Sequence, residues 1–176
     1  MKIFVAAAVL ALFVVGCEKK EEPKTAYPFP QGTVQSFDEV KILQEAVEKD
    51  PGNVDGWIHL GNALMDSSRF GGAIEAYRKA LELDPNNVNV RVDMGICYRN
   101  TGRSAVAVDE FRKSIEIDPD HLNAHKNLAI VLAYDTGEYS EAVKEFEKAV
   151  ELAPDAPDAE RIKLEIKRLK SLEAKK

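Results

Sequence analysis

Trp57-Ile58-His59-Leu60-Gly61-Asn62-Ala63-Leu64, then Ala73-Ile74-Glu75-Ala76-Tyr77-Arg78-Lys79-Ala80, then Asp84-Pro85: this stretch recurs down the chain, and its recurrence decides the fold. Asp50-Pro51 returns as Asp84-Pro85 and Asp118-Pro119, each 34 residues on, and as Ala153-Pro154 after 35. Other columns keep the step. Leu60, Met94 and Leu128 align, as do Gly61, Gly95 and Ala129, and Leu64, Tyr98 and Leu132. Further on, Ala73, Ala107 and Ala142 align, then Tyr77, Phe111 and Phe146, then Ala80, Ser114 and Ala149. A fixed step of this length marks a repeat architecture, each unit being one supersecondary element. Inside the unit the spacing is helical: Trp57, Leu60 and Leu64 fall at i, i+3 and i+7 and make one apolar stripe. Small residues at Gly61, Ala73 and Ala80 let two helices approach. Each proline ends the second helix, because its ring and missing donor disfavour continuation. Such a pair cannot bury its apolar face alone, so the units must stack.

Trp57, Leu60-Gly61, Ala73, Tyr77, Ala80 and Pro85 match the tetratricopeptide-repeat (TPR) motif, and the chain resembles that family over about residues 54–155. The resemblance implies an all-α protein, a right-handed TPR α-solenoid of helix-turn-helix repeats with capping helices at both ends. Its repeats are TPR 1 at 54–87, TPR 2 at 88–121 and TPR 3 at 122–156. Arg91 and His125 depart from the motif where Trp57 stands, and Ser68 occupies the place of the turn glycine. The third repeat carries one extra residue near Asp135-Thr136-Gly137, in the turn between its helices.

Both ends of the stack need closing. Ser36-Phe37-Asp38-Glu39 matches a capping box, so a helix is expected from about Phe37 to Lys49. It keeps the register through Leu43, Ala46 and Pro51, and residues 36–53 read as a half repeat whose partner helix is missing. Residues 157–176 read as a solvating helix, with Pro157 at its first position and Asp158 and Glu160 in its first turn. Ile162, Ile166 and Leu169 form its stripe against the last repeat, while Arg161, Lys163, Lys167, Arg168 and Lys170 lie mostly elsewhere.

The N-terminus reads as an export signal. Lys2 precedes an unbroken apolar run from Ile3 to Val15, shorter than the roughly 20 residues that a membrane span needs. Val14-Val15-Gly16-Cys17 followed by Glu18-Lys19-Lys20 resembles the lipobox of bacterial lipoproteins. That resemblance implies a signal peptide at 1–16 and diacylglyceryl and acyl groups on Cys17, with palmitate as a typical chain. Several acyl chains anchor a protein stably where one does not. Glu18, where an aspartate would favour retention on the inner membrane, favours the outer membrane. The expected location is therefore the bacterial cell envelope, lipid-anchored on the periplasmic side. Residues 17–35, with Pro23, Pro28, Pro30 and Gly32, hold no helical or strand period and read as a tether. Stretched, it spans roughly 60 Å at about 3.3 Å per residue.

Composition narrows the chemistry. A net charge of −6, one unit more negative once Lys2 leaves with the signal peptide, opposes nucleic acid as a partner, since phosphate binding needs a basic surface. With Cys17 acylated, Cys97 has no intramolecular partner and falls inside a repeat helix, so it reads as a small buried apolar residue. No phosphate-binding glycine loop, nucleophile elbow or zinc-spaced cluster occurs, so no enzyme activity, catalytic residue, metal or cofactor is expected. His121 and His125 are spaced to share a helix face, but no glutamate lies between them and His121 falls in a turn; a turn residue and an interhelical residue are the simpler reading.

A second stripe on the first helix of each repeat points to binding. At 100° per residue, Asp55, Ile58, Asn62 and Met65 share a face away from Trp57, Leu60 and Leu64. The equivalent face carries Asn89, Val92, Ile96, Arg99 and Asn100 in the second repeat, and Asn123, Lys126, Ile130 and Tyr134 in the third. In TPR domains this face lines a concave groove for peptides or helices. The aliphatics would supply apolar contact, Asn62, Asn100 and Asn123 backbone hydrogen bonds, and Arg99 and Lys126 a partner for a carboxylate. The carboxylate clamp of chaperone adaptors is not reproduced, because Ile58 and Asp93 stand where it needs Lys and Asn. The expected function is a membrane-anchored scaffold holding a peptide or helix of a client protein, in periplasmic or outer-membrane assembly. Asn89-Val90-Arg91-Val92-Asp93-Met94-Gly95 with Tyr98-Arg99-Asn100-Thr101-Gly102 also resembles periplasmic TPR proteins of cytochrome c assembly, which implies a cytochrome biogenesis role. A structural subunit of an envelope complex is the remaining alternative.

Overall fold

The computed structural model describes the backbone of residues 34–175 and the side chains of 39–175. The lipobox, Cys17 and most of the tether lie outside the described residues. Every regular element among the described residues is helical: α1 (Val34–Lys49), α2 (Val54–Asp66), α3 (Phe70–Leu83), α4 (Val88–Asn100), α5 (Ser104–Ile117), α6 (Leu122–Val131), α7 (Tyr139–Leu152) and α8 (Ala159–Glu173). Each packs on its neighbours in sequence, α2 on α3, α3 on α4 and so on to α7 on α8, with α4 also touching α6. This is the α-solenoid expected of stacked repeats, with α1 and α8 as its end helices.

The repeated columns do the packing. Tyr77 and Phe111 are fully buried and Phe146 nearly so. A Cβ added at Gly61 would stand 2.4 Å from the Tyr77 ring, and one at Gly95 would stand 2.6 Å from Phe111. The small column is therefore the seat of the ring column. Helix starts repeat as well: Asn53 Oδ1 accepts from Gly56 N at 2.9 Å, Asn87 Oδ1 from Val90 N at 3.2 Å, and His121 Nδ1 from Ala124 N at 3.2 Å. His121 thus does the capping work of an asparagine.

The turns between paired helices share one left-handed residue, Ser68 (φ 59°), Gly102 (φ 75°) and Gly137 (φ 77°). The extra residue of the third repeat is absorbed in a π-helical segment, Leu132–Thr136, that continues α6, rather than in the turn itself. One inserted residue is what such a bulge accommodates.

Two expected boundaries move. α1 already runs from Val34, so Ser36 lies within the helix rather than ahead of it. α8 begins at Ala159 with Asp158 at its N-cap position, and Pro157 precedes the helix; the Asp158 side chain makes no cap hydrogen bond because it is turned to Lys126.

The departures at Arg91 and His125 are substitutions of one donor for another. Trp57 Nε1 donates to the Pro51 carbonyl at 2.9 Å, Arg91 Nη2 to the Pro85 carbonyl at 2.8 Å, and His125 Nε2 lies 2.8 Å from the Pro119 carbonyl. All three tie the first helix of a repeat to the proline that ends the previous one. Where the donor is basic, a carboxylate faces it: Glu110 at 2.8 Å from Arg91 and Glu145 at 2.6 Å from His125, in the column that holds Ala76 opposite Trp57.

Candidate functional site

The first helices of the repeats, α2, α4 and α6, carry the stripe singled out as the inner wall, and the structure divides it into two regions. Toward the N-terminus, Ile58 is half-buried against the first core cluster. Asn62 Oδ1 accepts from the Tyr77 hydroxyl at 2.8 Å, and the Met65 sulfur lies 3.8 Å from that hydroxyl. Val92, expected on the groove face, is only 3% exposed and belongs to the core, so it offers no surface to a ligand; it packs in the cluster that joins the second repeat to the third. Ile96 is partly buried against the same core. Asn100 is exposed and donates to the Ile96 carbonyl at 2.9 Å, while the backbone oxygen of exposed Asn123 accepts from Asn127 at 2.8 Å.

Polar groups of this region lean on one another. Burial raises the pKa of the Tyr77 hydroxyl, with Asp93, Cys97 and Asp66 adding to it. Burial also raises the Asp93 carboxyl, opposed by His121 and reinforced by Asp66. The Cys97 thiol is pushed up to about 12 by burial and then by Asp93, which keeps it protonated and a poor nucleophile. Both nitrogens of His121 and of His125 are engaged: His121 with Ala124 N and with Asn89 Oδ1 at 3.0 Å, His125 with Glu145 and Pro119. Among the described residues no group of three potential ligands is placed to hold a metal ion.

Toward the C-terminus the wall opens into a cavity of about 530 Å³. Arg99, Lys126, Ile130 and Tyr134, all expected at the groove, line it together. Phe146 of α7 is also in its lining, Asp158 at the N-cap of α8 joins it, and α8 adds Arg161, Ile162, Leu164, Glu165 and Arg168. Arg99 is held by Asp135 through two bonds, 2.8 and 3.1 Å, and Ser104 donates to the same carboxylate at 3.1 Å. The Arg99 hydrogen bond holds the Asp135 carboxyl below its usual range. Lys126 pairs with Asp158, whose other cation, Arg161, stands 4.0 Å away. Arg168 grips Glu165 through contacts of 2.6 to 3.0 Å and lies 5.7 Å from the centre of the Tyr134 ring, within cation–π reach.

The contribution of α8 was not foreseen, yet a signal for it was present. Continued past Pro154, the register that runs Ile58, Val92, Lys126 next reaches Arg161. The columns of Asn62, Ile96, Ile130 and of Met65, Arg99 reach Glu165 and Arg168 in the same way. The terminal helix is therefore a fourth rib of the inner wall as well as a cover for the core.

A stack of paired helices joined at Asp-Pro corners, with a cavity on the wall formed by the first helices, defines a tetratricopeptide-repeat protein-interaction scaffold. The profile of the cytochrome c-type biogenesis protein H TPR domain matches residues 38–161. The chain belongs to that family. Its backbone is also similar to the crystal structure of MamA protein, with a TM-score of 0.71 at 21% identity over 80% of this chain and 76% of that one. Another MamA structure, MSR-1 C2, gives a TM-score of 0.61 at 26% identity over 68% of each chain. No curated protein matches the chain significantly.

Proposed function

We propose that this protein is a lipid-anchored scaffold on the periplasmic side of a bacterial membrane that holds a peptide or helix of a client protein against its inner wall during cytochrome c-type biogenesis. The observation that carries the reading is the cavity on that wall, lined by Arg99, Lys126, Ile130 and Tyr134, within a stretch that matches a cytochrome c-biogenesis TPR domain. The family match supports the pathway and the envelope context. The lipobox-like Val15-Gly16-Cys17 supports the anchor, and Glu18 supports the outer membrane. A scaffold of this kind works by binding and presentation, so its activity needs no catalytic group.

Photo-crosslinkers placed in living cells at Tyr134 and Asn123 on the wall, and at exposed Lys79 and Arg78 on α3, test the client assignment. Cytochrome-assembly clients captured from the wall positions and not from α3 are the expected result; equal capture from both sets overturns it. Cys17→Ser is expected to abolish acyl labelling and to move the protein from the membrane to the soluble fraction. Persistent membrane association would place the anchor elsewhere.

A further inference from the structure

The cavity is a basic site in an acidic chain. Its charged lining is Arg99, Lys126, Arg161 and Arg168 against Asp158 and Glu165, while the chain as a whole carries −6. Two of the large apolar side chains that stay exposed, Tyr134 (55%) and Leu164 (65%), sit on its lining. Leu164 occupies the column of Gly61, Gly95 and Ala129. At Gly61 and Gly95 the small residue seats the ring of a second helix, so a leucine in this column refuses a further repeat and is left for something other than stacking.

The two α8 cations both reach solvent, Arg161 with only a distant partner and Arg168 with Glu165 on one side. Arg161 is 83% exposed, and its carboxylate partner stands 4.0 Å away. Arg168 is 49% exposed. The long Arg161–Asp158 pair contributes little to stability, so an incoming carboxylate can take Arg161 at small cost, whereas at Arg168 it must exchange with the closely held Glu165. Asp158 serves two cations at once, Lys126 and Arg161, and makes no cap bond to its own helix. A volume of this size, about 300–1,000 Å³ being usual for ligand sites, takes one large side chain with its flanking backbone.

Resting on the reading of the inner wall as the client site, we propose that this cavity selects an acidic segment of the partner protein, with a large apolar side chain seated between Tyr134 and Leu164 and flanking carboxylates meeting Arg161 and Arg168. The internal carboxylates Asp158 and Glu165 are place-holders that the client's own carboxylates displace. Charge sets the on-rate and the choice of partner, and the apolar anchor holds the complex.

The full-length protein in detergent micelles, titrated with three fluorescent peptides, tests this. One carries a Glu-Asp-Phe-Glu-Asp core, one has lysines in place of the four acids, and one has alanine in place of the phenylalanine. The acidic phenylalanine peptide is expected to bind roughly tenfold more tightly than either of the others, and to weaken as salt is raised. Arg161→Glu with Arg168→Glu should reverse the charge preference, whereas Asp158→Asn should tighten the acidic peptide severalfold. Equal binding of acidic and basic peptides, no binding of the acidic one, or a preference that charge reversal leaves unmoved overturns the proposal. So does a dimer of this chain that the same reversal dissolves, since a second copy would then be the occupant. Client crosslinking from Asn123 that survives the double reversal overturns the acidic-segment assignment alone; loss of crosslinking from every wall position in the unaltered protein removes the client reading itself.

Discussion

At Gly61 the Tyr77 ring lies where a side chain would begin, with three ring carbons within 2.9 Å of the ideal Cβ position. Tyr77 is fully buried and its hydroxyl is tied to Asn62, so the ring has little room to retreat. Gly61→Ala is therefore expected to lose about 1–3 kcal/mol in chemical denaturation, as overpacked cores do, even though alanine is the better helix former. Seven residues on, the sign reverses. Ser68 holds a left-handed backbone (φ 59°) in the turn where the other two repeats have Gly102 and Gly137. The backbone there has a fixed job, since Arg69 N reaches back to the Leu64 carbonyl at 2.7 Å, as Arg103 N does to Tyr98 at 2.9 Å. A left-handed serine costs about 1 kcal/mol that glycine does not. Ser68→Gly should raise the denaturation midpoint by a corresponding amount, and a lower midpoint would mean that the serine side chain holds the turn in a way its dihedral does not reveal.

The column of Trp57, Arg91 and His125 shows how an element accepts different residues while keeping one bond. Each side chain spans from the first helix of its repeat to the proline carbonyl that ends the preceding helix, and a carboxylate accompanies the basic ones. Arg91 and Glu110 are 14% and 10% exposed, so this pair is largely out of water. Breaking such a pair by deleting one partner costs about 3–5 kcal/mol, because the survivor is left buried and charged. Arg91→Ala should fall at the low end, about 3 kcal/mol, since Lys113 still reaches Glu110 at 3.1 Å. Arg91→Trp combined with Glu110→Ala copies the arrangement of the first repeat and should recover most of that loss; a double-mutant cycle measures the coupling. The same column marks how far the sequence can be read. Helices, corners and small-against-ring packing were legible because a 34-residue step repeats every choice and only stacked pairs satisfy all of them. The Arg and His departures looked like irregularities because their bonds run to a backbone carbonyl, which leaves no trace in residue type. The pairs Arg99–Asp135 and Lys126–Asp158 were hidden for a related reason: both join residues more than 30 positions apart, one through the π-helical insertion and one across to α8. The wall contribution of Arg161, Glu165 and Arg168 was missed because the register was stopped at Pro154 although it continues beyond.

The molecule as a whole is held by neighbour-to-neighbour packing, with no element of the described stack touching one much beyond the next. In such a quasi-one-dimensional assembly stability is a sum of unit and interface contributions, and loss at one end need not travel to the other. α8 makes this testable. It buries Ile162, Ile166 and Leu169, exposed by 7%, 8% and 0%, against α7, so it contributes about 5 kcal/mol or more of gross apolar burial, at 1.5–3 kcal/mol for each side chain. It also supplies half the lining of the basic cavity. A chain ending at residue 156 leaves Phe146, Val143 and Val150 of α7 without that cover. Hydrogen exchange on the shortened protein is expected to show protection lost over α6 and α7 and kept over α2 to α4, where the N-terminal core cluster and the Tyr77 seat at Gly61 are intact. Loss of protection throughout the chain would mean that the helices form one cooperative core rather than a stack. The cavity should fail in either case, because without Arg161 and Arg168 the wall keeps only Arg99 and Lys126 as cations, and Arg99 stays committed to Asp135. The proposed binding at α8 and the stability of the N-terminal repeats should thus be separable properties of one solenoid.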